Sequence, residues 1–568
     1  MAAGWEPGPR RGKMKKLIHE LGLAGLLIAI AALVLAGGEA GAGSGGEVKR
    51  PVQVASGDYP RPVQDMDSVW PAVDPNSYPA LSDEELGHLR WVLAIADQPL
   101  GDFKNLEGTD QFGMTSYRYA IAFSAYFLAL EQYHKLPACP ELIQPRMDRL
   151  IQKMISKPVW EYWAGESRGI PTLEPKFNAP YPENPDPVSN MNIMYSGHVG
   201  HMIGLYETLY HDFKWDQPGA ITFVYSPTEK FVYDHHSLNQ VMRDQMQKNS
   251  YHAICCEPNA VFPECNQHPI LSFMLHDAVH GTDLAKVSEL FMDFFLKKEM
   301  INPRTHETAI LYLVKQDLTV AQATPRYHNP MDLIIAPAVS LGIVSLESSS
   351  ANGWTGAFMH AWQPDYIARQ YPYQLKNHLV ESAKEGPGLN SDYWEPNLKY
   401  GFFTLYAGEM GDLATRDRLV AAADREYSPV WENGAFHYPY NLSRKCTNLT
   451  DKLLAMAKAN PKDGLWTLHN RPFDAAHFVE PSLAGADFMK LGLRRAVYDR
   501  PKRVLVFTTD PLIKSRDSVV VQIINLDPQL DYRLFRDWQE QKTIPGQGSL
   551  SISIPLDARH DYILFSFP

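Results

Sequence analysis

The chain has 568 residues, of which 45% are hydrophobic and 11% aromatic, so it can form two to four domains, one of them a large barrel. Charged residues make up 21% of the sequence, and this globular composition excludes wholesale disorder. The formal net charge of -12 and the lack of any stripe of Lys and Arg exclude a nucleic-acid-binding surface, because phosphate groups require clustered cations.

Residues 1–46 have the layout of a targeting segment. Five basic residues, ending at Lys16, precede an apolar run over residues 21–38, and small residues follow as far as Gly46. This pattern predicts either a cleaved secretory signal peptide or an uncleaved membrane anchor through residues 21–38. In both cases we expect the folded part of the chain to lie outside the cytoplasm, in the periplasm, in the medium or at the membrane.

The next segment, residues 47–80, is rich in Pro, Asp and Ser and predicts a linker or a surface arm. Residues 81–490 contain recurrent helical stripes, in which apolar side chains follow one another at spacings of three and four. The clearest stripes lie at residues 119–133, 147–155, 198–209, 238–242 and 287–295. Since no strand and helix alternation is visible, we expect a mainly α protein built as an α/α barrel, or toroid.

Two regions of the chain predict β structure. Residues 310–320 form a candidate hairpin inserted between helices, where it can line the mouth of a barrel. In the tail, short β-rich runs at residues 504–508, 518–524, 531–534, 549–555 and 562–567 alternate with turn signals. The sequence therefore predicts a small antiparallel β domain over residues 491–568.

The cysteines are few and odd in number: Cys139, Cys255, Cys256, Cys265 and Cys446. This count excludes a disulfide scaffold in an exported chain. Neither a C-x-x-C motif nor a Cys/His group with zinc-type spacing occurs, so we expect no structural metal.

Residues 255–266 concentrate polar and thiol groups around two prolines, so they form a loop rather than a regular helix. A helix is predicted to follow at residues 267–279, and its N-terminus is expected to lower the pKa of a nearby thiol. The loop is a candidate pocket floor with two thiols, a carboxylate and two amides. In the alternative interpretation, Cys256 and Cys265 form a disulfide or are inert core thiols.

The motif C-E-P-N-x-x-F-x-x-C-N from Cys256, followed by H-G-T-D at residues 280–283, resembles the linalool dehydratase/isomerase family. Other blocks agree in order, namely N-I-M-Y-x-G-H at residues 192–198, Y-x-I-A-F at 119–123, K-M at 153–154 with V-W at 159–160, and E-M-G-D at 409–412. The resemblance covers roughly residues 85–470. It implies an α/α barrel in a homo-oligomeric ring that reversibly dehydrates and isomerises a tertiary allylic terpene alcohol without an organic or metal cofactor.

The resemblance also assigns roles to individual residues. Cys256 and Cys265 would be the catalytic thiols, His198 the active-site histidine, and Asp97 a catalytic aspartate that reaches the site of a neighbouring subunit. Glu257 would lie beside the thiols. Substrate-binding residues would be Tyr119, Met194, Phe262, Phe103 and Asn266. As structural alternatives, His198 and Tyr119 could simply fill the core, and His201 is interpreted as structural.

Dehydration and isomerisation need a proton donor for the hydroxyl, a base, and apolar walls around an allylic cation. A thiol pair can serve as the acid and as a covalent partner. Phe103 and Ser350 stand where the family is expected to carry tyrosines, and their lack of a phenol predicts isomerisation or hydration, or a larger terpenoid. The expected ligand is a small hydrophobic terpenoid alcohol or alkene.

Two competing functions remain open at this stage. A carbohydrate-active α/α-barrel hydrolase, lyase or epimerase would need paired carboxylates near aromatic side chains, and Asp392, Glu395 and Glu432 are available for that role. A secreted binding protein that has kept the barrel would need no catalytic group. Neither function explains the cysteine-bearing loop.

Overall fold

The computed structural model describes residues 73–108, 116–179, 181–322, 348–382, 386–389 and 400–567. The predicted targeting segment and the first part of the predicted arm, residues 47–72, lie outside these ranges. Among the residues described, no helix is both long and apolar enough to cross a membrane.

The described residues include twelve helices of nine or more residues. They are α1 (Asp83–Asp97), α2 (Tyr117–His134), α3 (Pro140–Met154), α4 (Ile193–Tyr210), α5 (His235–Lys248), α6 (Gln267–His280), α7 (Ser288–Lys297), α8 (Ser349–Met359), α9 (Pro364–His378), α10 (Gly401–Glu409), α11 (Leu413–Tyr427) and α12 (Asn448–Ala459). Shorter helices occur at Lys157–Trp160, Trp163–Glu166, Gly464–Asn470 and Phe488–Leu491.

The even-numbered helices form a ring in which each contacts the next, from α2 through α4, α6, α8 and α10 to α12, which returns to α2. The odd-numbered helices lie outside this ring. Sequence explains the division, because α10 is buried on every side whereas α3 buries a single stripe that includes Leu142, Met147, Leu150 and Met154. The predicted α/α barrel is therefore confirmed.

Close packing inside the ring depends on small residues. At Gly353 in α8, a Cβ atom would collide with the backbone of Phe403 in α10. Only glycine allows the two helices to approach this closely.

Short strands are inserted between the helices. The hairpin of β1 (Ile221–Ser226) and β2 (Glu229–Tyr233) had no clear sequence signal, whereas the predicted hairpin appears as β4 (Leu311–Leu313) and β5 (Leu318–Val320). A third strand, β3 (Ala260–Val261), pairs with β4. Further pairs are β6 (Leu379–Ser382) with β7 (Gly386–Leu389) and β8 (Val430–Glu432) with β9 (Ala435–His437). Pairing with β3 links the inserted hairpin directly to the cysteine-bearing loop.

The C-terminal part consists of two antiparallel sheets. The strands are β10 (Ser482–Ala484), β11 (Leu493–Asp499), β12 (Val504–Thr509), β13 (Ser518–Ile524), β14 (Asp531–Arg536), β15 (Gln539–Ile544), β16 (Leu550–Pro555) and β17 (His560–Phe567). One sheet has the order β11-β12-β17-β14-β15 and the other β10-β13-β16. The predicted antiparallel β domain is confirmed.

The β domain is attached to the helical ring through backbone hydrogen bonds. The Ala138 amide, just after α2, donates to the Ala496 carbonyl at 2.9 Å, and the Leu483 amide donates to the Ala138 carbonyl at 2.8 Å. Residues 73–80 of the predicted arm lie on the outer face of the larger sheet, where Val73 packs with Val504 and Phe565. This described end of the arm therefore packs on its own chain.

Candidate active site

The thiol loop, which we define as residues 254–266, is buried along its whole length. The Cys256 amide donates to the Ala260 carbonyl at 2.9 Å, and the Ala260 amide donates to the Glu257 carbonyl at 3.0 Å. Asn259 adopts a left-handed φ of 73° at this turn. The expected irregular loop is confirmed, and these bonds satisfy backbone groups that have no access to water.

Asn266 holds the two ends of the thiol loop together. Its Oδ1 accepts a hydrogen bond from the Ile254 amide at 2.9 Å, while Nδ2 donates to the carbonyls of Ile254 at 3.0 Å and Phe262 at 2.9 Å. These contacts support a positioning role. Substrate binding by Asn266 and Phe262 stays a prediction.

Cys256 and Cys265 lie against each other at the two ends of the loop, and both are free thiols in the structure. Burial raises the pKa of each above the usual value for cysteine. A hydrogen bond from the Cys256 thiol and the charge of Arg118 work against this effect at Cys265. The expectation that a helix N-terminus lowers the thiol pKa is wrong, because burial has the larger effect. The charge of Arg118 favours the thiolate form of Cys265.

Arg118 is the buried cation of the site. Its guanidinium lies 4.5 Å from the ring centre of Tyr119 and 4.4 Å from that of Tyr162, and it donates to the Met194 sulfur at 3.5 Å. Burial raises the pKa of Tyr119 well above the normal value, and nearby thiolate charge at Cys265 would raise it further. The Tyr119 phenol is therefore a proton-bearing group close to the thiol pair.

His198 projects from α4 with a neutral imidazole. Burial and the nearby charge of Arg118 lower its pKa to about 3. The Tyr126 hydroxyl lies 2.8 Å from Nδ1, and no other partner of that hydroxyl occurs in the described ranges. With Tyr126 as the donor to Nδ1, the imidazole proton lies on Nε2. Nε2 is buried and has no hydrogen-bond partner among the residues described. This N–H is available to a bound oxygen.

Aromatic side chains from three inner helices, α2, α8 and α10, lie around His198. The rings of Tyr119 and Phe123 each lie 5.7 Å from the imidazole, measured between ring centres. Phe123 also lies 5.6 Å from Trp354 and 5.3 Å from Phe402. Such walls exclude water and present ring faces that attract a cation.

A chain of buried imidazoles adjoins His198 and was not predicted. The Trp354 indole N–H donates to His268 Nε2 at 2.8 Å, His268 Nδ1 lies 3.1 Å from His201 Nδ1, and His201 Nε2 lies 2.7 Å from His469 Nε2. His469 Nδ1 ends the chain 2.7 Å from the Leu465 carbonyl. An indole can only donate and a carbonyl can only accept, so every proton in this histidine chain points from Trp354 towards Leu465.

The direction of the histidine chain requires three neutral imidazoles. Burial lowers the pKa of His201 and His268 well below the normal value and that of His469 to about 4. The ring of His268 lies 3.9 Å from that of His198, between centres. His201 was interpreted as structural, and its bonds agree with that interpretation. In the sequence, the only indication of this histidine chain was the spacing of His198 and His201, which places both on one helix face.

Asp97 lies at the surface of this chain, whereas Phe103 packs beside the first turn of α2. Asp97, at the end of α1, has 41% of its side chain exposed and pairs with Arg146 at 2.9 Å. Phe103 lies against Tyr117, with 4.6 Å between ring centres, two residues before Tyr119. A contribution of Asp97 to a neighbouring subunit stays a prediction.

The carboxylates that a carbohydrate-active enzyme would need are not brought together among the described residues. Residues 390–399, with Asp392 and Glu395, lie outside the described ranges. Glu432 is 65% exposed in its side chain and lies 3.7 Å from His437.

The expectation of no structural metal was based on the lack of a local Cys/His motif, and the structure groups His and carboxylate side chains that such a motif would not include. Ligand atoms within 4.8 Å of one another come from two overlapping sets, His235, His276 and His280, and Glu207, Asp216, His235 and His280. The ligands of the second set are spread over 74 positions of sequence, from 207 to 280, so no local sequence motif indicates this cluster.

Inner helices that enclose a thiol pair, a neutral imidazole and aromatic walls define an α/α-barrel protein with a site inside the ring. The profile of the linalool dehydratase/isomerase family matches residues 118–340 and 339–443, which together exceed half of the chain. The chain belongs to the linalool dehydratase/isomerase family.

Solved structures with a similar arrangement are remote. An inactive α-1,6-mannanase variant of Salegentibacter sp. HEL1_6, in complex with α-1,6-mannotriose, has 10% identity and a TM-score of 0.39, covering 68% of this chain and 99% of its own. An unsaturated glucuronyl hydrolase specific for heparin has 8% identity and a TM-score of 0.41, covering 68% and 96%. Dfg5 from Chaetomium thermophilum, in complex with glucosamine, has 10% identity and a TM-score of 0.36, covering 70% and 96%.

Proposed function

We propose that this protein is a dehydratase/isomerase that acts on a terpenoid allylic alcohol through its thiol pair and needs no cofactor. The observation that carries the proposal is the buried contact of Cys256 with Cys265 near His198, in a chain of this family. No electron enters or leaves the substrate in a dehydration or an allylic shift. Proton donors, a base and apolar walls are sufficient for such a reaction.

The charge of Arg118, which favours the thiolate of Cys265, supports Cys265 as the acid. Cys265 transfers its proton to the substrate hydroxyl, the C–O bond breaks with both electrons on oxygen, and water leaves an allylic cation beside a thiolate. The Cys256 thiol donates to that thiolate and Arg118 lies close enough to stabilise its charge. The Nε2 proton of His198 can donate to the departing oxygen.

The cation then has two fates that both regenerate the enzyme. Loss of a proton from carbon to the Cys265 thiolate gives an alkene and restores the thiol. Addition of water at the other end of the allylic system, with its surplus proton passing to the thiolate, gives the rearranged alcohol. In either case, the rings of Phe123 and Trp354, which pack 5.6 Å apart beside His198, would stabilise the cation.

The test is turnover of purified, reduced protein with tertiary allylic alcohols of the mono-, sesqui- and diterpene classes under anaerobic conditions. Cys265→Ser is expected to reduce kcat by at least about a hundredfold, the lower end of general acid catalysis. Cys255→Ser is the matched control, because the Cys255 thiol donates to the Tyr251 hydroxyl at 3.4 Å instead of joining the pair. Equal losses in the two variants, or full activity of folded Cys265→Ser, would contradict the proposal.

A second arm of the same experiment tests the alternative function. Incubation with oligosaccharides and unsaturated uronides should yield no product. Sugar turnover that persists in Cys265→Ser would favour a carbohydrate-active enzyme, since carboxylates would then carry the chemistry.

We further propose that the active unit is a homo-oligomer with sites completed by Asp97 of a neighbouring copy. Its exposed position at the end of α1 supports this arrangement, because the carboxylate lies at the surface and not beside the thiols of its own chain. Mixed oligomers of Asp97→Ala and Cys256→Ala protomers test this arrangement, because each protomer would supply the residue that the other lacks.

A further inference from the structure

Four metal-ligating side chains meet where the ends of three helices come together, away from the thiol pair. This His-carboxylate cluster consists of Glu207 in α4, Asp216 in the following loop, His235 at the start of α5 and His280 at the end of α6. Glu207 and His235 are fully buried, whereas the side chains of Asp216 and His280 are 10% and 17% exposed. The cluster therefore has an inner wall and a narrow opening to solvent.

The distances within the cluster match the edges of a coordination polyhedron. His235 Nδ1 lies 2.7 Å from Glu207 Oε2 and 3.8 Å from Asp216 Oδ1. His280 Nε2 lies 3.3 Å from Glu207 Oε2 and 3.4 Å from Asp216 Oδ2. A tetrahedral ion with ligands at about 2.0–2.1 Å has edges of about 3.3–3.4 Å. Small adjustments of the shorter and longer edges would bring all four atoms to one ion.

Charge balance also favours an ion. Glu207 is fully buried and Asp216 is largely buried, and two such carboxylates need compensating positive charge nearby. The Glu207 carboxylate lies against both His235 and His280. Its Oε1 is buried without a hydrogen-bond partner in the described part of the chain. One divalent ion would supply that charge and leave the imidazoles neutral.

Two neighbouring histidines complete the surroundings without joining the four ligands. His276 Nδ1 lies 2.8 Å from the Thr282 hydroxyl, and its Nε2 lies 2.8 Å from His236 Nδ1. His236 Nε2 lies 3.6 Å from Asp216 and can orient that carboxylate. Such outer contacts are a usual feature of metal sites.

We propose that the His-carboxylate cluster binds one divalent transition ion, for which Zn²⁺ is the best match. Two imidazoles and two carboxylates suit Zn²⁺, whereas Ca²⁺ and Mg²⁺ prefer six or more oxygen ligands. The ion joins α4, which carries His198, to α6, which follows the thiol loop. Its role is to fix these two helices relative to each other at the end remote from the thiols.

The experiment is a zinc titration of the full chain after treatment with a chelator, in a Cys256→Ser/Cys265→Ser background that removes the thiol pair as a competing ligand. Calorimetry in two buffers of different ionisation enthalpy reports stoichiometry, affinity and released protons. We expect one Zn²⁺ per chain, release of protons near neutral pH, and a higher melting temperature with the ion bound. Co²⁺ should give visible absorption without a thiolate charge-transfer band.

Glu207→Gln and His280→Gln are each expected to weaken zinc binding at least tenfold. The matched control is His560→Gln. His560 also lies between two carboxylates, Asp537 at 2.6 Å and Asp557 at 2.8 Å, but neither of these hydrogen bonds brings in a second imidazole. Absence of binding, or equal affinity in all three variants, would show an ordinary ion-pair network and overturn the proposal. These readouts are independent of turnover.

Discussion

Replacing Tyr126 with phenylalanine removes a single hydroxyl from the site. The remaining ring keeps its stacked contact with His268, at 5.7 Å between centres and 13° between planes. What is lost is the donor to His198 Nδ1 at 2.8 Å. Because that donor determines which imidazole nitrogen carries the proton, the change allows the proton to move from Nε2 to Nδ1.

The structure sets the expected sizes of the two effects. A buried imidazole nitrogen that loses its partner costs about 1–3 kcal/mol of folding free energy. A His198 population that carries its proton on Nδ1 cannot donate to the substrate oxygen, and general acid catalysis is worth about a hundredfold or more. Since part of the population keeps the productive tautomer, we expect kcat of Tyr126→Phe to fall by about ten- to a hundredfold.

Tyr195→Phe separates catalysis from stability. Tyr195 lies on α4 and is as fully buried as Tyr126. Its hydroxyl donates to the Met154 carbonyl at 2.8 Å and does not contact His198. Thermal melts should show similar losses of stability for both variants, while steady-state turnover should fall in Tyr126→Phe alone. Unchanged kcat in Tyr126→Phe, or an equal decrease in Tyr195→Phe, would refute the assigned tautomer.

Three further outcomes are expected. First, kcat should be constant between about pH 5 and pH 8 and fall at alkaline pH, because burial raises the pKa of Cys265 and its acid form is lost as the pH rises. A falling limb near pH 6.5 would instead indicate a titrating imidazole. Second, mixing Asp97→Ala with Cys256→Ala protomers should restore part of the activity, and no recovery in verified mixed oligomers would exclude composite sites. Third, Phe103→Tyr should increase the dehydrated fraction of the product by adding a candidate base; an unchanged ratio in an active variant would remove this position from control of the cation.

Regular elements could be predicted from the sequence where one local pattern determined them. The apolar stripe at residues 119–133 lies in Tyr117–His134, and the run at 518–524 coincides with β13. The hairpin at residues 310–320 is also present. The β1 and β2 hairpin was missed because its strands are largely half-buried or exposed, so no apolar alternation marks them.

The site was only partly predictable because its parts converge from distant segments. The cysteine motif identified Cys256 and Cys265, but no spacing relates His201 to His469 or Glu207 to His280. The direction of the thiol pKa shift was also wrong. The helix N-terminus favours a lower thiol pKa, but burial raises the pKa by more, and burial depends on the whole fold.

The ring of inner helices has a consequence for biosynthesis. Its last contact joins α12 to α2, and the Trp91 indole in α1 donates to Asp451 of α12 at 3.1 Å across 360 positions of sequence. The first helices therefore leave the ribosome long before their final neighbours exist. Until α12 emerges, the apolar flanks of α1 and α2 stay open to solvent or to a chaperone, and contacts between such distant segments form slowly. Interrupting translation before α12 should thus yield an aggregation-prone chain instead of a smaller native domain.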